Sequence, residues 1–231
     1  MLQGSSDNLS DFLTYLAGIP ESGDQRIPPL AELSKTLGVS VATLREQLMA
    51  AKLLGIVEVK PKSGIRKKSF DISSILKNSL TYAIGANSCS FHLFSDLRKH
   101  LEGAYFLEAV QLLTGEDLDE LSTLVAEGKA KINSYPGQNP VAEHRKFHLL
   151  IYKRLNNEYL NGILESYWEF YRLAGFEISP DHTYIDRIWQ YHAAILENLR
   201  SKKFNEALVL LKEHMELINQ REKVIPRLSF E

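Results

Sequence analysis

Apolar residues recur along the chain at two different rhythms. From Asn8 to Ala17, residues Leu9, Phe12, Leu13 and Leu16 fall at i, i+3, i+4 and i+7, the spacing of one helix face. In PPLAELSKTLG, Pro28 and Pro29 suit a helix start and Leu30, Leu33 and Leu37 share a face. Gly38 stands where that helix ends and a positive φ costs little. Ser40 is placed to cap a third segment, VATLREQLMAAKLLG, whose inward positions are read as Leu44, Leu48 and Leu53. After Gly55 the pattern changes to IVEVK, a turn at KSG, and a return strand IRKKSF with its basic residues outward. Helix, helix, turn, helix, hairpin is the order of a winged helix-turn-helix.

Past Asp71 the strand rhythm disappears. Helical periods run over roughly 73–86, 90–113, 117–134, 140–155, 157–175, 182–200 and 204–222. In the last of these, Phe204, Ala207, Leu208, Leu211, Met215 and Ile218 form a continuous stripe. Four of the eight prolines lie in the first 61 residues, which places the boundary at the same point. The expected fold is mainly α: a winged helix-turn-helix over 1–70 and an all-α bundle of six or seven helices over 71–231. A length of 231 residues accommodates two such domains.

Composition excludes several classes. With 44% hydrophobic and 24% charged residues the chain is neither disordered nor fibrous. The longest apolar run, Ala207 to Leu211, is five residues, far short of the ~20 that a membrane helix needs. The opening MLQGSSDNLSDFL lacks the basic and apolar regions of a secretory signal, and Cys89 has no second cysteine to pair with. A cytoplasmic protein with no membrane association is expected.

The net charge of −2 argues against a uniformly basic nucleic-acid coat, but the charge is segregated. Between Lys35 and Phe70, eight basic residues face only Glu46 and Glu58. Ser40, Thr43 and Arg45 lie near the leading end of the third helix, where Arg45 can reach guanine or a phosphate. Lys60, Lys62 and the turn at Gly64 would set a wing against the neighbouring backbone or minor groove. The other reading of this segment is a small helical subdomain with a solvated charged hairpin.

Histidine supplies the second candidate chemistry. His144 and His148 in EHRKFHLL are i and i+4, so both rings leave one helix face. His192 and His214 fall on the last two long helices, which short-loop antiparallel packing would bring side by side. Imidazole suits Zn, Ni, Cu or Fe better than Mg or Ca. Read from the residues alone, the four are either a divalent-metal site or separate hydrogen-bonded structural groups. His92 and His100 read as ordinary partly exposed residues, and His182 as one near a helix N-terminus. Aromatic residues lining a cavity could come from Tyr105, Phe106, Tyr167, Trp168, Phe170 and Tyr171, most of which are expected in the core.

The segment LAELSKTLGVSVATLREQLMAAKLLGIVEVKPKSG resembles the winged helix of GntR-type bacterial transcription regulators, over about residues 26–70. Where that family usually carries arginine this chain has Ala31 and Val41, both commonly DNA contacts. The resemblance therefore implies greater dependence on Arg45, Lys35 and the wing, with weaker binding or an altered operator. The C-terminal half is similar to the FCD effector domain of FadR-like members. There, an Asp-x3-His pair on one helix and two histidines on the last two helices bind a divalent metal. FHLLIYKRLNNEYL matches the family stretch that carries the second ligand, implying that role for His148 and effector contact for its usual neighbour, Asn157. YHAAILENLRSKKFNEALVLLKEHMEL carries His192 and His214 at the family's separation. His144 stands at the Asp position. Four histidines would leave a divalent ion at full charge and attract an anion; alternatively His144 turns away and three remain. LRKHLEGAYF resembles the segment whose arginine faces the ligand cavity, implying an effector contact for Arg98, the alternative being a surface i, i+4 pair with Glu102.

Together these imply a homodimeric, ligand-responsive regulator, not an enzyme. It would bind an inverted-repeat operator in double-stranded DNA, with Zn or Ni as cofactor and a small organic acid as effector. A direct metal sensor is the first alternative. A metal-dependent hydrolase is the second, disfavoured because no HExxH or equivalent base-bearing motif occurs.

Overall fold

The computed structural model describes residues 9–22, 25–86, 91–134, 138–176 and 182–220; Asn8, Cys89, Ser90 and positions 221–222 of the expected helices and cysteine lie outside them. By internal contact the chain forms two units, Met1–Asn78 and Ser79–Glu231.

In the first unit α1 (Asp11–Ala17) starts where Ser10 Oγ accepts the N–H of Leu13, and it buries Phe12 and Leu16. A two-residue strand, β1 (Arg26–Ile27), follows. α2 (Leu30–Leu37) opens after Pro29 and ends at Gly38, whose φ of 69° is the left-handed cap that glycine tolerates. α3 (Val41–Leu53) is capped by Ser40, whose Oγ accepts from the Thr43 N–H at 3.1 Å. Leu44 and Ala51 form its buried face, whereas Leu53, expected inside, is 60% exposed. Nine residues at about 100° each carry Leu53 half a turn from Leu44, while Ala51 at i+7 returns to the same side.

β2 (Val57–Lys60) and β3 (Gly64–Lys67) make the expected hairpin, with Val59 opposite Ile65. The sheet has a third member that the pattern did not reveal. β1 pairs antiparallel with β3, placing Ile27 opposite Ile65 and giving the order β1-β3-β2. Phe12, Leu16, Ile27, Leu33, Leu44, Ala51 and Val57 close the core. Lys67 corrects the outward basic strand: it shares a pleat side with Ile65, and its Nζ donates to the Ile19 carbonyl at 2.6 Å.

α4 (Ile72–Gly85) contains the division between the units. The second unit continues with α5 (Phe91–Gln111), α6 (Gly115–Ile132), α7 (Val141–Tyr152), α8 (Glu158–Leu173), α9 (His182–Arg200) and α10 (Phe204–Glu216). All seven expected helices are present, and short 3-10 turns extend α7 and α10. Thr114 and Asp117 form a reciprocal capping box at the start of α6. Gly128 in α6 sits against Trp189 of α9; a Cβ there would lie 2.4 Å from the indole. The main core includes Phe106, Leu121, Phe147, Ile151, Trp189, Ile195 and Leu211. A second, aromatic cluster gathers Phe91, Tyr167, Trp168, Phe170, Tyr171 and Phe176. No described helix is long and apolar enough to cross a membrane.

Candidate functional site

α7, α9 and α10 each turn histidine side chains toward one point. His144 and His148 leave α7 one turn apart, His192 comes from α9 and His214 from α10. Nε2 of His148 lies 3.0 Å from that of His214 and 3.4 Å from that of His192; Nε2 of His144 is 3.2 Å from that of His214. One ligand atom from each of the four falls within 4.8 Å of the others. Donors held at about 2.0–2.1 Å around a tetrahedral zinc are separated by about 3.3 Å, and the three separations of 3.0–3.4 Å match such an edge. His144 is turned in with the other three rather than away.

Burial sets the protonation of the cluster. His148, His192 and His214 are buried and His144 is half-buried. Desolvation, followed by the neighbouring imidazoles, holds His144 and His192 well below the ordinary histidine range; His214 is lowered in the same way, by burial and then by His148. The rings are therefore neutral near pH 7 and each has a lone pair to offer. Phe147 stacks on His192 at 4.3 Å and Trp168 stands edge-on to His144 at 4.7 Å, fixing the ring planes.

Glu102 selects the tautomer of His148. It is fully buried, which by itself would raise its pKa, but Arg98 and then His148 outweigh burial and hold it at about 2. An ionised carboxylate can only accept, so His148 Nδ1, 2.7 Å from Glu102 Oε2, carries the proton and its Nε2 keeps the lone pair. Tyr152 Oη donates to the Glu102 carbonyl at 2.9 Å and steadies the same turn.

Arg98 donates through Nε to Glu102 Oε1, and its guanidinium lies 4.1 Å above the Tyr167 ring and 4.8 Å above that of Trp168. The i, i+4 pair with Glu102 thus exists, but it is buried inside the bundle and not on its surface. Asn157 is not brought to this cluster by any described contact; it caps α8, with Oδ1 accepting the Leu160 N–H at 3.0 Å. His100 bonds the Asp96 carbonyl on the exposed face of α5, and His182 opens α9 on the surface.

The donor chemistry fits a divalent metal: four neutral imidazoles converge, and one is backed by an ionised carboxylate. Nδ1 of His192 and of His214 finds no partner among the described residues. Sequence reading missed Phe147 as a ring packed on the cluster, and read Glu102 as a surface partner of Arg98 and not as a buried member of the site. A signal existed: Arg98 and Glu102 lie on the α5 stripe Phe91, Ser95, Phe106 and Ala109, which is an inward face.

In the first unit Lys35, Ser40, Thr43, Arg45, Lys60, Lys62 and Gly64 are all exposed. Ser40 and Thr43 hydroxyls bond each other at 2.9 Å, and Lys60 pairs with Glu58 at 2.9 Å. Lys62 and Gly64, with φ of 70° and 75°, turn the hairpin tip.

Residues 94–217 match the model of the FCD domain, which covers more than half of the chain and includes Arg98 and all four histidines. The chain is 27% identical to the Uxu operon transcriptional regulator of Escherichia coli K12, over 87% of its own length and 80% of the relative's. It is 26% identical to the Uxu operon regulator of Haemophilus influenzae, over 86% and 74%. Its fold is similar to that of a Streptococcus agalactiae GntR structure, with a TM-score of 0.62 and 19% identity over 90% of this chain and 94% of that one. The E. coli McbR/YncC structure superposes with a TM-score of 0.50 at 20% identity, over 83% and 86%. The chain belongs to the FCD-domain family of GntR-type transcription regulators.

Proposed function

We propose that this ligand-responsive DNA-binding regulator holds a divalent metal on His144, His148, His192 and His214 and uses it to receive a small carboxylate effector. The supporting observation is the set of 3.0–3.4 Å separations among buried, neutral imidazole nitrogens, with Glu102 fixing one tautomer. An all-imidazole set favours zinc or nickel and leaves the ion's charge uncompensated, which draws an anion. When bound, the metal supplies a positive charge for a ligand oxygen. The winged helix reads the operator through α3, with Arg45 directed to base or phosphate and Lys35, Lys60 and Lys62 toward the backbone. A two-fold dimer would match an inverted repeat. Signalling requires that the effector bind two arrangements of the dimer with unequal affinity.

Elemental analysis after zinc loading and gel filtration tests the centre. The unaltered chain should retain a single ion, whereas His148→Ala and His214→Ala should lose most of it. Full retention by both variants would sink the assignment. Metal-dependent operator binding with no response to any carboxylate would favour a direct metal sensor instead.

A further inference from the structure

Two buried donors beside the histidines have nothing to donate to. Arg98 and Trp168 are 5% and 4% exposed, and neither Arg98 Nη2 nor Trp168 Nε1 has a hydrogen-bond partner among the described residues. Buried N–H groups are nearly always satisfied, because each one left unpaired is costly. The two side chains are neighbours at the histidine cluster: the Trp168 ring centre lies 4.8 Å from the Arg98 guanidinium and 4.7 Å from that of His144. Arg98 cannot present the side-on fork of Nε and Nη2, since Nε is spent on Glu102. Nor does it bring net charge, because the Glu102 carboxylate balances it.

We infer that Arg98 Nη2 and Trp168 Nε1 act as a donor pair for one carboxylate effector, the indole N–H taking the place of the fork's missing arm. This rests on the effector reading above and assigns Trp168 a binding task that the family match does not give it. Charge attraction falls to the metal, and orientation to two neutral-acting donors held by aromatic packing and by Glu102. The arrangement favours an acceptor-rich carboxylate over an amine or an amide N–H at that position, since a second donor would leave both groups unpaired.

The chain has two tryptophans, Trp168 and Trp189, so indole N–H signals of the zinc-loaded full-length protein can be assigned with Trp168→Phe. Acetate, succinate and citrate serve as probes, each titrated by proton–nitrogen NMR and by calorimetry. With a probe that binds, the Trp168 indole proton should move downfield, and further than that of Trp189, whose ring packs on Gly128 and stands edge-on to His192. Trp168→Phe keeps an aromatic ring without the N–H and, compared with the unaltered chain at equal zinc occupancy, should weaken that probe by about tenfold. If the variant misfolds, the shift in the unaltered protein decides. A probe that binds without moving the Trp168 signal, or that binds Trp168→Phe equally well, overturns the donor pair and leaves the effector reading standing. Failure of all three to bind the loaded protein removes the effector reading and this inference together.

Discussion

Asp117 shows how one side chain can tie local and distant structure. It caps α6 with Thr114 and accepts from Arg154, near the end of α7, and these contacts hold its carboxyl at about 2. The Arg154 bond is the leading cause, and it outweighs partial desolvation, which acts the other way. A depressed carboxylate contributes stability that is complete above its ordinary pKa of 3.8 and is lost as pH falls through that value toward 2. Asp117→Asn should therefore lower stability at pH 7 by about 1 kcal/mol, the typical worth of a cap. The difference from the unaltered chain should shrink between about pH 4 and pH 2; urea midpoints measured across that range would show it. A gap that stays constant would mean that the carboxylate charge is not what matters. Single residues were also where sequence reading fell short. Glu102 was visible as a partner of Arg98 but not as a buried one, because an i, i+4 ion pair has the same spacing on an inner or an outer face.

At the scale of elements, periodicity was the reliable guide. The helices of the second unit were legible because each repeats its apolar stripe over three turns or more, and α1 to α3 because caps and Gly38 mark their ends. β1 was not: two residues cannot display alternation, and only the sheet partner Ile65 gives Ile27 a strand identity. Lys67 was misplaced for a related reason, since a basic residue in a hairpin reads as solvated until the Ile19 carbonyl is seen beneath it. The four histidines are legible as a set from their spacing and from family resemblance, but their 3.0–3.4 Å separations depend on how α7, α9 and α10 pack. That packing has a clear test at Gly128, where α6 and α9 meet. Gly128→Ala gains helix propensity of up to ~1 kcal/mol but forces a methyl into the Trp189 ring, an overpacking cost of roughly 1–3 kcal/mol. A net loss of about 1–2 kcal/mol is expected in urea unfolding, with Trp189→Phe in the same background recovering part of it. A stabilised Gly128→Ala protein would show that the two helices can separate freely at this point.

For the whole molecule, a net charge of −2 coexists with DNA recognition because the positive charge is concentrated between Lys35 and Phe70. Affinity for an operator, selected from random duplexes, should therefore fall steeply with salt. Arg45→Ala should weaken it by about 1–3 kcal/mol at fixed salt if the side chain reads a base. Uniform weakening on all sequences, with a salt slope reduced by about one, would make Arg45 a phosphate contact instead. Unchanged affinity would mean that α3 is not the docking helix. The distance in sequence between the two functions has a temporal side. The wing is complete at Lys67, whereas the imidazole cluster cannot close until His214 has been made, nearly 150 residues later. At about 5–20 residues per second, a growing chain carries the complete winged-helix sequence for roughly 7–30 s before the four histidines can meet. Synthesis therefore delivers the DNA reader first and its ligand control last.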